Sequence, residues 1–390
     1  MQEPLYGTPP THSAPLGPLS PPLHRSSSSA QPDAESVRAL GSAQRSGDFY
    51  QRMGHPNCRQ FEGIAAQREG ADGAVSFASG MAAMSGAMLA LVRAGDRVLV
   101  PHEVYGGTAA FVTQDLARFG VQVDRFHAME RDDLAQKLAL QPKLVVLETP
   151  INPTLRLVDL AFTTDLCRRN GALTLVDGTF APPPIQRPLQ LGADLVVHSA
   201  TKHYGGHSDV LAGVVCGRHE LMRLVEAFRR RTGGILAPDP AWLLCRSAAT
   251  LDLRIAAQQD SARELADRLV TFVGSGLLLD VLYPTLASHP DRELAQRQMH
   301  GGGTMVSFVV PGGLPRARAV FDALHLVARG PSLGSVESLA SLPAYTTHAP
   351  LSPEERRAAG IPDGLLRISV GLEGAAAIAA DIEQAVRRTV

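Results

Sequence analysis

At 390 residues the chain is long for a single core, so two domains are expected. Hydrophobic content of 45% with mean hydropathy of +0.01 describes a globular protein, and a net charge of −1 gives no electrostatic reason to expect nucleic acid or an anionic membrane as partner. The four cysteines, Cys58, Cys167, Cys216 and Cys245, stand far apart with no CxxC pair, which argues against a zinc site or disulfide framework and suits a reducing cytoplasm.

No apolar run approaches the roughly 18 residues of a membrane helix, and the N-terminus lacks a secretory pattern. Met1 to Gln31, rich in Pro and Ser, reads as an extended arm or equally as a loose tail. Ala34 to Gln44 is expected to be helical. Phe49 to Pro56 is loop-like and carries Tyr50, Arg52 and His55 together; ligand contact and plain solvation both account for such a cluster. A helix over Cys58 to Gly70 and a short strand over Ala74 to Ala78 follow. Ser79-Gly80 then opens an Ala-, Met- and Leu-rich helix over Met81 to Val92. Strand, small residues and helix N-terminus make an anion site, because first-turn N–H groups are free and the helix dipole adds positive potential. N-capping alone also explains Ser79. Neither GxxxxGK nor GxGxxG is present.

From here the pattern alternates. Strands are expected at 97–100, 121–126, 144–147, 173–176, 195–197 and 210–216, with helices at 107–119, 131–140 and 159–170 between them. Strands separated by helices predict a mainly parallel sheet covered on both faces, with ligands beyond the strands' carboxyl ends. The polar residues at those ends are Glu148, Asn152, Asp177, Ser199, Thr201 and Lys202, which would converge on one crevice.

Lys202 is set apart by composition. Of 37 basic residues only three are lysine (37 − 3 = 34 arginines), and Lys137 and Lys143 occupy positions suited to solvent. Lys202 alone follows an apolar strand and precedes a Gly-Gly loop. An amine can shed its proton and act as a nucleophile or Schiff base, which arginine cannot. This stretch by itself fits a solvated strand-end lysine equally well. His203-x3-His207-x-Asp209 carries ligand-type residues, but Gly205-Gly206 breaks the helix a metal pair would need, so no metal is expected.

Helical stretches are expected over 221–232 and 239–271, the latter long and linking two domains. Strands at 279–283, 304–310 and 366–370, with helices at 317–324 and 375–386, then predict a smaller α+β domain. Arg367 stands in an otherwise apolar strand and needs a carboxylate from protein or ligand. An amine, a helix-tip anion cradle, a strand-end acid and an arginine from another domain suit pyridoxal phosphate with an amino-acid substrate.

The motifs SGMAAM, GDRVLVPHEVYGGT, ETPINPT, VDGTF, QRPLQLGADLVVHSATKHYGGHSDV, SLGSVESL and LLRISVGLE, in this order, resemble those of the Cys/Met-metabolism pyridoxal-phosphate enzymes. These are the trans-sulfuration enzymes: cystathionine γ-synthase, the cystathionine γ- and β-lyases, methionine γ-lyase and the acylhomoserine sulfhydrylases. The resemblance runs from about Pro21 to the C-terminus. It implies an α/β, fold-type I architecture: an N-terminal arm (1–48), a cofactor-binding large domain with a mostly parallel seven-stranded mixed sheet (49–245), and a smaller α+β C-terminal domain (246–390). It also implies a homotetramer of two tight dimers with sites shared across each dimer, in the cytoplasm. By position, Lys202 becomes the Schiff-base lysine and, with Tyr105, a catalytic residue. Asp177 becomes the partner of the pyridine nitrogen. Gly80, Met81, Ser199 and Thr201 become phosphate ligands, and Tyr50 and Arg52 reach the phosphate of the adjacent subunit. Tyr105 stacks on the cofactor. Asn152, Ser332 and Arg367 face the substrate carboxylate, Asn152 also a cofactor oxygen. Glu148 receives no role.

The chain departs from the family pattern at His55-Pro56-Asn57, where Asn-Pro-Thr is usual, and at Gly178, His203 and Pro331, where Asn, Tyr and in many γ-enzymes Glu stand. Gly107 replaces a cysteine that marks many methionine γ-lyases. The cystathionine γ-synthase/γ-lyase branch is expected, with β-lyase, methionine γ-lyase or sulfhydrylase chemistry as alternatives. A non-catalytic cofactor-binding sensor is the alternative from another class.

Overall fold

A computed structural model describes residues 20–42 and 48–389. Residues 1–19 of the expected arm, and Ala43 and Gln44 of the expected first helix, lie outside the described residues.

The first sheet is built from β1 (Gly73–Phe77), β2 (Arg97–Pro101), β3 (Gln122–Phe126), β4 (Leu144–Glu148), β5 (Leu173–Asp177), β6 (Leu195–His198) and β7 (Gly213–Gly217). Its order is β1-β7-β6-β5-β4-β2-β3. β2 to β6 run parallel, and β7 is antiparallel to both of its neighbours, β1 and β6. β4 and β7 are buried along their whole length, which is why they read as unbroken apolar runs rather than alternating ones. Helices cover the two faces in separate apolar clusters, Pro56–Glu69 and Pro238–Ala248 on one side and Gly80–Leu91 with His219–Thr232 on the other.

The second sheet holds β8 (Asp280–Leu282), β9 (Met305–Val309), β10 (Ala328–Arg329), β11 (Leu339–Ser341) and β12 (Leu365–Ser369), in the order β10-β11-β12-β9-β8. Apart from the short β10–β11 pair its strands are antiparallel, as the α+β reading requires. The predicted long helical stretch is two helices, Pro238–Ala248 and Leu251–Gly274. The second joins the two halves: Leu251 and Ile255 pack into the large-sheet core, Ala262 to Leu269 into the small-sheet core. The helix expected over 107–119 is helical throughout but uneven, with an α-turn at Gly106–Ala110, a π-segment at Phe111–Asp115 and a 3₁₀-turn at Leu116–Phe119. The strand expected from Val210 begins only at Gly213, because Thr201 N–H and hydroxyl capture the Ala212 carbonyl first.

The described part of the arm lies on its own chain. Asn57, buried, accepts from His24 N–H at 3.0 Å and donates to the Pro22 carbonyl at 2.9 Å; the Trp242 indole donates to the Pro21 carbonyl at 2.8 Å. Ser28 then bridges to Tyr50 in antiparallel fashion.

One buried ion pair ties helix, strand and helix together at the sheet edge. Arg229 donates to Glu62 at 2.7 Å and to the Ser76 carbonyl at 2.9 Å, while Ser76 donates its N–H and hydroxyl to the same Glu62 oxygen at 2.9 Å each. Removing one partner leaves the other charge buried, which costs about 3–5 kcal/mol. Arg229→Met is therefore expected to lower the unfolding free energy from denaturant titration by an amount in that range; a change below about 1 kcal/mol would show that the pair is not acting as a buried charge.

Candidate active site

Neighbouring strands deliver two acids and an amine to one rim. β4 ends on Glu148 and β5 on Asp177, paired in register, and β6 runs on into Ser199, Thr201 and Lys202. The tip of the helix Gly80–Leu91 points at the same rim, and Arg367 arrives from β12. These groups, with Tyr105, Asn152 and Phe180, line a cavity of about 680 Å³, large enough for a cofactor-sized molecule.

The Lys202 amine donates to the Ser332 hydroxyl at 2.9 Å. Burial, then the positive Arg367, pushes it down to about 8, so about a tenth of it is neutral and nucleophilic at pH 7. Arg367 is 2% exposed. It donates to Asn152 Oδ1 at 2.7 Å and to the Ser332 carbonyl at 3.2 Å, and among the described residues its Nε–H has no partner. The Phe180 ring lies 5.5 Å from the guanidinium carbon. Among the described residues its recorded acceptors are two neutral oxygens. Burial brings the guanidinium down to about 10, still charged. It therefore retains charge and a donor for an anionic ligand group.

At the helix tip, Ser79 Oγ accepts from Ala82 N–H at 3.1 Å, leaving the Gly80 and Met81 amides as first-turn donors without an intrahelical acceptor. A Cβ on Gly80 would fall 2.7 Å from Ser199 Cβ, so only glycine brings this tip so near the Ser199 hydroxyl. Thr201 lines the cavity, but its donors are spent: its N–H and its hydroxyl both reach the Ala212 carbonyl at 3.1 Å.

Both carboxyls are lifted by burial. Glu148 rises to about 8, with Asp177 adding to the shift, and Asp177 is raised in turn against the pull of the Thr179 N–H at 3.0 Å and of His198. Glu148 accepts from Tyr105 N–H at 2.6 Å and from Asn152 N–H at 3.2 Å. The edge of the Tyr105 ring occupies the space beside Gly107, where a Cβ would lie 2.6 Å from it.

Not every expected residue reaches the cavity of its own chain. Tyr50 is 43% exposed and Arg52 donates to the Arg230 carbonyl at 2.6 Å, both outside it. His203 is held between the Thr304 hydroxyl at 2.8 Å and the Thr179 carbonyl at 3.2 Å, and burial followed by Arg254 pushes it down to about 3, so it is a neutral structural imidazole. His207 donates to the Gly205 carbonyl at 2.7 Å. Among the described residues no group of three His, Cys, Asp or Glu is placed to hold a metal. Sequence reasoning gave no site role to Phe180, Leu211, Thr346, Thr347 and Pro350, which also line the cavity. Phe180 lay in the VDGTF motif and was within reach; the 346–350 loop has no periodicity to mark it.

The donor set fits pyridoxal phosphate: a partly neutral amine for the aldehyde, two free amides facing a hydroxyl for the phosphate, a strand-end carboxyl for the ring nitrogen, and a guanidinium with a donor to spare for a carboxylate. The known proteins agree. A family model described as Cys/Met metabolism PLP-dependent enzyme matches residues 9–387. L-methionine γ-lyase of Pseudomonas putida is 37% identical over 95% of this chain and 93% of its own. Cystathionine γ-lyase of Bacillus subtilis is 39% identical over 95% and 94%. The solved cystathionine γ-synthase of Xanthomonas oryzae pv. oryzae, in complex with aminoacrylate and cysteine, superposes with a TM-score of 0.89 at 37% identity, covering 95% of this chain and 93% of that one.

An amine that titrates near 8 rather than near the usual 10.5 should stand out chemically. In cofactor-free protein, acylation of Lys202 followed by peptide mass spectrometry is expected to rise with a midpoint close to pH 8. A midpoint above pH 10 would mean that the amine is solvated.

Proposed function

The chain belongs to the Cys/Met-metabolism PLP-dependent enzymes, and from this premise we propose that it eliminates or replaces the γ-substituent of a sulfur amino acid or homoserine ester, as a cystathionine γ-lyase or γ-synthase does. Pyridoxal phosphate is its cofactor and an amino acid its substrate. The observation that carries the reading is the meeting of the Lys202 amine and the Arg367 guanidinium across one cavity, each bonded to Ser332.

When bound, pyridoxal phosphate supplies an electron sink for negative charge at the substrate Cα. Asp177 would hold a proton at the ring nitrogen. Arg367 would grip the substrate α-carboxylate with its unspent Nε–H and its fork, while Asn152 fixes the guanidinium plane. The neutral share of Lys202 would take the Cα proton, and Lys202 with Tyr105 would then move protons at Cβ as the γ-substituent leaves. Gly80, Met81 and Ser199 would hold the phosphate; Thr201 could join them only by releasing Ala212.

Tyr50 and Arg52 sit outside their own cavity, and this supports a shared arrangement in which they complete a neighbour's phosphate site within a homotetramer of two dimers. Four free, buried cysteines suit a cytoplasmic setting.

A methionine-type substrate is the second reading. Among the described residues, the cavity lining carries no charged side chain apart from Glu148, Asp177, Lys202 and Arg367, and Met81, Met84, Leu211 and Leu333 present apolar surface to a thioether.

Holoenzyme incubated with cystathionine is expected to release cysteine, 2-oxobutanoate and ammonia. Homocysteine with pyruvate would move the cleavage to the β-carbon, and methanethiol from methionine with cystathionine untouched would favour the second reading. Arg367→Ala is expected to raise KM for the amino acid roughly 10- to 100-fold, the weight of a charge-assisted pair at about 1.5–3 kcal/mol, while cofactor content stays unchanged. Parallel loss of both would remove the carboxylate role of Arg367.

A further inference from the structure

We infer that Glu148 is a positioning residue whose carboxyl sets the Tyr105 ring and the Asn152–Arg367 pair in fixed relation to one another. This rests on the reading that Tyr105 faces the cofactor and Arg367 the substrate carboxylate.

Glu148 is the last residue of β4 and 5% exposed. Each of its oxygens receives one main-chain donor, Oε2 from Tyr105 at 2.6 Å and Oε1 from Asn152 at 3.2 Å. The two donors belong to separate segments. Tyr105 is the N-cap of the short helix that starts at Gly106, and Asn152 lies in the turn that leaves β4. Neither amide lies in a helix or sheet ladder, and among the described residues Glu148 is the acceptor recorded for each. The carboxyl thus acts as a rigid spacer between them.

The far end of each segment carries a working group. The Tyr105 ring rests against the open side of Gly107, beside Met81. Asn152 receives Arg367 at 2.7 Å through Oδ1, so the guanidinium plane is referred back to the same carboxyl. A carboxyl has the right valence for this task, because two oxygens accept two N–H groups at once. Glutamine keeps the shape but turns one acceptor into a donor, so it satisfies one amide and opposes the other. Electrostatics point the same way, since the Glu148 carboxyl holds the Arg367 guanidinium up against the effect of burial.

The test compares wild type with Glu148→Gln as full-length protein. Hydrogen–deuterium exchange by mass spectrometry, run with and without added pyridoxal phosphate, reads the peptides that contain Tyr105 and Asn152. The peptide whose amide is left facing the new NH2 group is expected to exchange about tenfold faster in the variant, cofactor-free protein included. In the holoenzyme, KM for the sulfur amino acid turned over by wild type is expected to rise about tenfold, through Arg367, and kcat to fall several-fold, through Tyr105. Adding Asn152→Ala to the variant should then raise KM little further, because both changes act through Arg367. Unchanged exchange at both peptides overturns the inference, and so does unchanged KM. A wild type that turns over no sulfur amino acid would instead sink the functional reading, and faster exchange in the variant would still support the spacer. Should Glu148→Gln fail to fold, Glu148→Asp, which keeps the carboxyl but is one methylene too short to span both amides, is read by the same measurements, with both peptides expected to exchange faster.

Discussion

Four ionisable groups share one cavity wall away from water, and the site depends on how they are kept there. Two carboxyls, Glu148 and Asp177, are pushed up, and two cations, Lys202 and Arg367, are pushed down. Burial is the first cause in every case, since desolvation always penalises the charged form. What differs is the compensation. Asp177 keeps the Thr179 N–H and the nearby His198, and Glu148 keeps two main-chain amides. Arg367 has neutral oxygens, and Lys202 a single hydroxyl. The acids are therefore better satisfied than the cations. A cavity arranged this way favours an incoming molecule that carries negative charge and an electrophilic carbon, which is the description of a phosphorylated aldehyde followed by an amino-acid carboxylate.

The two sheets reach this arrangement by different routes. Glu148, Asp177 and Lys202 come from adjacent strands, so a local rule, parallel strands ending on one side, places them. Arg367 comes from a second sheet and must be brought across. Ser332 and Asn152 make that crossing: Ser332 accepts from Lys202 through its hydroxyl and from Arg367 through its carbonyl, and Asn152, from the large sheet, accepts from Arg367. Arg254 adds a second tie, donating to the His203 carbonyl at 2.9 Å from the helix that joins the two cores. The lysine is thus held by the seam between sheets as much as by the strand that precedes it.

This division explains what could be read from the chain. The strand ends were legible because a buried parallel strand is a short apolar run that stops at a polar residue, and Leu144–Glu148 and Leu173–Asp177 both do. Arg367 was legible as a charge inside an apolar strand. The reversal of β7 was not, because direction is set by the turn after Lys202 and by pairing with β1, neither of which leaves a periodic mark. Thr346, Thr347 and Pro350 enter the cavity from an irregular segment where no repeat distinguishes lining from solvent. Tyr50 and Arg52 stood out from the residues only as part of a polar loop cluster, and their role, like Ser332 altogether, was reached through the family resemblance: two are loop residues outside their own chain's cavity, and the third acts through one hydroxyl and one carbonyl.

The departures from the family pattern fall mostly outside the chemistry, and three of them have a local physical reason. Asn57 is engaged on both sides of its amide by the arm. Gly178 leaves room for His198, whose Cε1 would lie 2.7 Å from a Cβ there and which is pinned by a hydrogen bond to the buried Glu69. A larger residue at 178 would have to push against a histidine that cannot retreat. His203 spends both ring nitrogens on Thr179 and Thr304 and so joins the lysine loop to the residue that precedes β9. Pro331 is different, because it lines the cavity itself and brings no charge where an acid is usual. Substitutions that trade one buried contact for another leave the amine, the helix tip and the strand-end acid where they are. Beyond those fixed groups, the cavity wall is completed by Gly107, Leu211, Pro331, Thr346, Thr347 and Pro350.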